Sequence, residues 1–106
     1  MTPDRGDLVW LTIEPREGPG TPVRRPALVV WPAMYNSRSG LALVCAVSRR
    51  TTGYPFEVAL PAGLPVSGVV LADHLRSADW RARHAEIAGR VPKHVVEDVL
   101  AKLKPL

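Results

Sequence analysis

The chain has a single cysteine, no long apolar run and, over a long internal stretch, no acid at all. With Cys45 alone, no internal disulfide can form. Because it lies in an apolar run, it reads as a packing residue before a catalytic thiol. The longest apolar stretch, 41–47 (LALVCAV), is far too short to cross a bilayer, so no membrane partner is expected. Near the start Asp4 and Asp7 flank Arg5, with no apolar segment before a cleavage site, and the expected location is the cytoplasm. No His-x-x-x-His or Cys-x-x-Cys occurs, and His74, His84 and His94 are scattered, so neither metal nor cofactor is expected. A glycine-rich loop followed by Lys-Ser/Thr is missing too, which argues against nucleotide hydrolysis.

What is present fits one domain over residues 1–106, with 46% hydrophobic and 23% charged residues, as in an ordinary globular protein. The net charge of +4 says less than its distribution. Between Glu17 and Glu57 there is no carboxylate, while Arg24, Arg25, Arg38, Arg49 and Arg50 supply five positive charges. A solvated basic face is the simplest reading of such a stretch. All five are arginines, however, and guanidinium suits forked phosphate contacts and base stacking better than ammonium does. Tyr35, Tyr54 and Phe56 add aromatic rings of the kind that single-stranded nucleic acid stacks upon.

The segments 8–13 (LVWLTI), 27–31 (ALVVW), 41–47 (LALVCAV), 56–60 (FEVAL) and 69–71 predict short strands, with turn formers between them. The stretch 14–23 (EPREGPGTPV) holds three prolines and two glycines and predicts a surface loop. Pro92 opens a predicted helix with Val95, Val96, Val99, Leu100 and Leu103 on one face and Lys93, Glu97, Asp98 and Lys102 on the other. Five or more short strands at this spacing fit a small closed antiparallel barrel on which that helix packs.

Five blocks then occur in one order: Gly6-Asp7-Leu8-Val9-Trp10, Arg24-Arg25-Pro26-Ala27, Met34-Tyr35-Asn36, Gly53-Tyr54-Pro55-Phe56-Glu57-Val58, and Leu71-Ala72-Asp73 with Trp80-Arg81-Ala82-Arg83 behind it. Together they resemble the MazF/PemK toxins, in the MazF-like branch. The resemblance implies a mainly β (α+β) fold, an SH3-like barrel with short helices shared with the CcdB gyrase poisons. It also implies a homodimeric endoribonuclease that cuts single-stranded RNA without a metal and is neutralised by a MazE-like acidic antitoxin. The substrate's own 2′-hydroxyl would be the nucleophile, so the protein must remove its proton, stabilise charge on phosphorus and protonate the leaving 5′-oxygen.

In register with the family, Arg25 precedes Pro26 at the place of the essential arginine. Its pKa above 12 suits it to holding a phosphorane rather than to acting as a base. The competing reading is an arginine that ends a loop and pairs with Asp7 or Glu14. Ser48 stands where relatives carry a hydroxyl residue contacting the scissile phosphate, with Thr51 or Thr52 as alternatives if the register shifts. Asp73 matches the proposed base of PemK-like members, or else orients Arg25 or caps a turn. His74 occupies an RNA-contacting place, and Thr21, Arg24, Arg49, Arg50, Tyr54, Phe56 and Arg83 complete the expected RNA-binding set. Gly18-Pro19-Gly20 replaces the family's Gly-x-Glu, so the loop glutamate is missing. The rival readings are a gyrase poison or a basic SH3-like binding module. Gyrase poisons of this fold use a tryptophan near the C-terminus, and here none follows Trp80.

Overall fold

A computed structural model describes residues 1–13 and 20–103. Most of the predicted 14–23 loop, including Gly18 and Pro19, therefore lies outside the described residues. The elements run β1 (Asp7–Ile13), β2 (Val23–Val29), α1 (Ala33–Ser39), β3 (Ala42–Ser48), β4 (Glu57–Ala59), β5 (Val69–Ala78), β6 (Glu86–Arg90) and α2 (Lys93–Leu103). The strands form one antiparallel sheet in the order β4-β5-β3-β2-β1-β6. It is a curled half-barrel. Among the described residues no ladder joins the edge strands β4 and β6, where the sequence predicts a closed barrel. The predicted C-terminal helix is present as α2 and packs on β4 and β5. No helix among the described residues is long and apolar enough to cross a membrane.

Strand alternation puts apolar residues on both faces of this sheet. Leu8, Leu28, Cys45 and Val70 face α2 and meet its Val95, Val96 and Val99. Burying each such side chain is worth about 1.5–3 kcal/mol, and the half-buried Leu100 and Leu103 add to the contact that holds the helix down. The intervening residues Val9, Leu11, Ala27, Val29 and Val44 form a second cluster on the other face with Trp80. Arg25 has the parity of Ala27 and Val29, and it therefore emerges on that second face.

Three departures from the predicted strands shape the site. First, β2 begins at Val23, four residues before its predicted start. Its pairing with β3 starts only at Ala27↔Ala46, so residues 23–26 pair with β1 alone. Pro26, which has no N–H to give, falls where the β3 ladder has already stopped. Second, β5 continues past Leu71 to Ala78 through a bulge. The pairing moves from Cys45↔Leu75 to Val47↔Val70, a step of two residues on β3 against five on β5. Residues 71–74 of β5 thus stand opposite Ala46 alone: Leu71 pairs with Glu57 of β4 and Ala72 is buried, while Asp73 and His74 turn out to the surface, as bulges beside functional sites do. Third, Gly68 has φ +124°, and a Cβ there would overlap the Ser48 carbonyl oxygen. Only glycine lets the start of β5 press against the end of β3 at Ser48.

Two elements carried no strand or helix prediction. The helix α1 is a short element of about two turns whose Asn36 is fully buried, its Nδ2 donating to the carbonyls of Pro3 and Trp31, both at 2.8 Å. The strand β6 (EIAGR) pairs with β1 despite poor strand formers.

Candidate functional site

Arg25 is exposed at the start of β2, and among the described residues its guanidinium makes no ion pair or side-chain hydrogen bond. The alternative pairing with Asp7 is overturned, because Asp7 is buried and takes Arg90 Nη1 at 2.8 Å. Glu14 lies outside the described residues. Arg25 thus keeps its five N–H donors for a ligand. It borders two depressions at once. One, of about 440 Å³, has an apolar floor of Leu11, Ile13, Ala27 and Val44 and a rim of Asp73, His74 and Arg76. The other, of about 580 Å³, is lined by Trp10, Pro26, Ser48, Arg49 and Pro65 among others.

Ser48 ends β3 on the Arg25 side, and its Oγ accepts the Arg50 N–H at 3.1 Å. The two alternatives are engaged elsewhere: Thr51 and Thr52 give their hydroxyls to the Glu57 carboxylate at 3.1 and 3.0 Å. Asp73 and His74 ride on the β5 bulge, with His74 Nε2 4.0 Å from Asp73 Oδ1 and the Asp73 side chain 26% exposed. They also face Ser48, Arg50 and Tyr54 across a third depression. The bulge is what brings the Asp73 of one strand and the Ser48 of another to the same edge as Arg25.

Arg24 lines the depression of about 580 Å³ beside Arg25 and Arg83 lines none of the three, but the guanidinium groups of both are engaged within the protein. Arg24 Nη1 donates to Thr12 Oγ1 and to the His84 carbonyl, both at 2.8 Å, and its Nη2 lies 3.9 Å from Glu86. Arg83 is half-buried and donates to the Thr12 carbonyl at 3.3 Å. Both tie β1 to the turn before β6. Thr21 is exposed just ahead of β2. Tyr54 is exposed, whereas Phe56 packs against the α2 core with its ring centroid 5.6 Å from that of Tyr54. Phe56 therefore underlies Tyr54 more than it offers a free face.

The five arginines of the acid-free stretch do not build one surface. Arg38 and Tyr35 sit on α1 and line a separate depression with Trp31, Pro32 and Arg5. The expectation that Tyr35 joins Tyr54 as a stacking shelf is thereby corrected. A short helix stands between the segments that sequence proximity had grouped.

Titration behaviour separates framework from site. Burial pushes the Cys45 thiol up to about 11, with the Asp73 charge adding to it, and a thiol so disfavoured as thiolate is a packing residue. Hydrogen bonds from the Thr52 N–H, then from the Thr52 and Thr51 hydroxyls and the Gly53 N–H, hold Glu57 below the ordinary carboxylate range. Asp4 is held low chiefly by the Ala33 N–H, which it receives at 2.8 Å.

Two residues escaped the sequence reading. Arg76 lies opposite Val44 in the ladder and rims the first depression beside His74. Glu57 gathers four donors from residues 51–53. Arg76 could have been found by parity with Asp73-His74 had β5 been predicted beyond Leu71. For Glu57 the available signal was its place as the first acid after the arginine-rich stretch.

Known proteins bear directly on this arrangement. The model of the PemK-like, MazF-like toxin of type II toxin–antitoxin systems matches residues 4–106. The endoribonuclease toxin MazF of Escherichia coli is 40% identical over 104 residues, covering 98% of this chain and 93% of the relative. The endoribonuclease PemK of Escherichia coli is 32% identical over 109 residues, covering 97% and 80%. Among solved structures, a MazE–MazF crystal structure from Deinococcus radiodurans superposes with a TM-score of 0.95 at 53% identity, covering 99% of this chain and 95% of that one.

Proposed function

The chain belongs to the PemK-like, MazF-like toxin family of type II toxin–antitoxin systems, and on that premise we propose that it is an endoribonuclease toxin of single-stranded RNA, neutralised by a MazE-like antitoxin. The observation that carries the reading is Arg25, a guanidinium without a protein partner among the described residues, set between Ser48 on one side and Asp73 and His74 on the other. Such a group is built to receive an anion.

The proposed reaction needs no metal. The 2′-hydroxyl of the nucleotide 5′ to the cut attacks the adjacent phosphorus, and its proton passes to Asp73. Arg25 holds the pentavalent phosphorane through forked charge-assisted hydrogen bonds, and Ser48 adds a hydroxyl donor. The P–O5′ bond breaks as the leaving oxygen takes a proton, for which Arg25 and His74 are the donors on the rim. The products are a 2′,3′-cyclic phosphate and a 5′-hydroxyl. Arg49, Arg50 and Tyr54 serve the flanking phosphates and bases. Thr21, Arg24, Phe56 and Arg83 stay in the proposed RNA-binding set as outer positions, with Arg24 and Arg83 acting chiefly through the strands they brace.

The working unit proposed is a homodimer in the cytoplasm, each copy one toxin domain over residues 1–106. An acidic antitoxin segment satisfies the same guanidinium groups that phosphates use, so the two ligands compete. The test is incubation of purified protein with a long single-stranded RNA in excess EDTA, followed by sequencing and chemical typing of the new ends. Cyclic phosphate and 5′-hydroxyl ends at a recurring short motif support the reading. Cleavage lost in EDTA and restored by Mg²⁺, or no cleavage at all, refutes it.

A further inference from the structure

We propose that Glu57 is a positioning residue for RNA: its carboxylate folds residues 49–53 into the wall that presents Arg49 and Arg50 to the substrate. The proposal rests on the endoribonuclease reading above.

The geometry is specific. Oε1 of Glu57 receives the Thr51 hydroxyl at 3.1 Å and the Gly53 N–H at 3.1 Å, and Oε2 receives the Thr52 hydroxyl at 3.0 Å and the Thr52 N–H at 3.1 Å. An ionised carboxylate offers about four lone-pair sites, so four donors saturate it. Every one of those donors comes from the short segment just after the two arginines. The backbone is bent to make this possible: Gly53 has φ +75°, a left-handed turn that aims its N–H back at Glu57. The Glu57 N–H in turn donates to the Tyr54 carbonyl at 3.0 Å, closing the loop from the other side.

The loop so held is one bank of the site. Ser48, Arg50, Thr52, Tyr54 and Glu57 line the depression whose opposite bank is Asp73 and His74. Adjacent like-charged arginines repel one another and favour an open, mobile segment. The carboxylate at its base supplies the hydrogen bonds that hold it closed. The first acid after the arginine-rich stretch thus has a definite task, which is to fix where those arginines point. Glu57 itself need not touch the substrate.

Glutamine cannot do the same. A single amide oxygen accepts two donors, and the NH₂ group confronts the loop's N–H groups with further donors. The Glu57→Gln protein should therefore bind RNA less well and still cut what it binds. The experiment measures kcat and KM for a short single-stranded RNA, affinity for the same RNA carrying a 2′-deoxy nucleotide 5′ to the cut, and amide exchange at Thr52 and Gly53. We expect KM and the analogue Kd to rise by about tenfold, the equivalent of one lost hydrogen bond to a charged group, with kcat within about threefold. Exchange at the two amides should quicken while that of β3 and β5 is unchanged. The double variant Thr51→Val, Thr52→Val removes two donors from the opposite side and should show the same KM effect at smaller size, covering the case in which Glu57→Gln does not fold.

Unaltered KM and analogue affinity with quickened exchange would overturn the positioning role. A collapse of kcat at constant KM would overturn it too, by placing Glu57 in the chemistry. Failure of the parent protein to cut or bind any RNA would instead sink the functional reading, since the exchange experiment reports on the loop without reference to RNA.

Discussion

The corner around the N-terminal residues and the mouth of the sheet around Arg25 are both rich in charge, and they treat it in opposite ways. At the corner, Arg90 bonds Asp7 at 2.8 Å and the Arg5 carbonyl at 2.9 Å and lies 3.7 Å from Asp4, while Asp4 caps the Ala33 N–H. Asn36 and the Trp80 indole N–H, which donates to the Asn36 carbonyl at 3.1 Å, lock the same corner. Charges there are matched within the protein. At the mouth, Arg25, Arg49, Arg50 and Arg76 make no ion pair among the described residues. Matched charges hold a fold together, and unmatched ones on a rim wait for a ligand. Glu57 stands between the two regimes, since it is matched within the protein in order to aim unmatched neighbours.

The comparison breaks most sharply at Arg25. Arg25→Ala should lower the cleavage rate by about a hundredfold to a thousandfold, the usual cost of an oxyanion-type donor, with an unchanged melting temperature. Arg25→Lys should recover little, because a point charge cannot make two parallel hydrogen bonds. Single-turnover kinetics beside a thermal melt checks both. Arg90→Ala should do the reverse. It leaves the buried Asp7 without its cation and should cost about 1–3 kcal/mol of stability in denaturant unfolding, while kcat on the folded fraction stays near that of the parent.

Arginines at intermediate positions sharpen the contrast. Charge reversal at Arg49 and Arg50 should weaken binding of both RNA and antitoxin and flatten the dependence of RNA affinity on salt by about one phosphate contact per arginine. Arg24→Ala should leave that slope nearly unchanged and lower the melting temperature instead, since its guanidinium is spent on Thr12 and the His84 carbonyl. Affinity titrations across a range of salt concentrations separate the two.

The smallest effect concerns acid. Asp4 and Glu57 are both held below their ordinary values of 3.8 and 4.5. Groups depressed in this way contribute stability that is complete above those values and is lost as pH falls through the lower folded-state ones. The melting temperature should therefore stay level down to about pH 5 and decline below it. Asp4→Asn should flatten part of that decline.

Much of the fold and the centre of the candidate site were legible from the chain, for identifiable reasons. Trp10, Leu28, Cys45 and Val58 belong to runs of β-formers between turn residues, and α2 announces itself by period and by Pro92. Arg25 and Asp73 were marked by their blocks and Ser48 by its register with the family, and the structure sets the three around adjoining depressions. What escaped was decided by tertiary contact. The second half of β5 reads as polar because its bulge and exposed rim put Asp73, His74 and Arg76 outside the core. The strand β6 is held by β1 and not by propensity, and α1 is too short for periodicity to register, its anchor being a buried asparagine. The grouping of Arg38 and Tyr35 with the groove failed because proximity along the chain does not survive an intervening helix. The brace made by Arg24 could not be read at all, for its partners lie about sixty residues away at His84 and Glu86.

The claim that Arg25 and its neighbours act on a nucleophile carried by the substrate is tested most directly on a chimeric RNA with one deoxynucleotide immediately 5′ to the cut. Binding and cleavage of that strand are measured against the all-RNA parent, in the presence of EDTA. The account predicts binding close to that of the parent and no detectable product at that position. Cleavage of the deoxy-substituted strand at the parent's rate would contradict it, since the attacking oxygen would then have to come from somewhere other than the RNA.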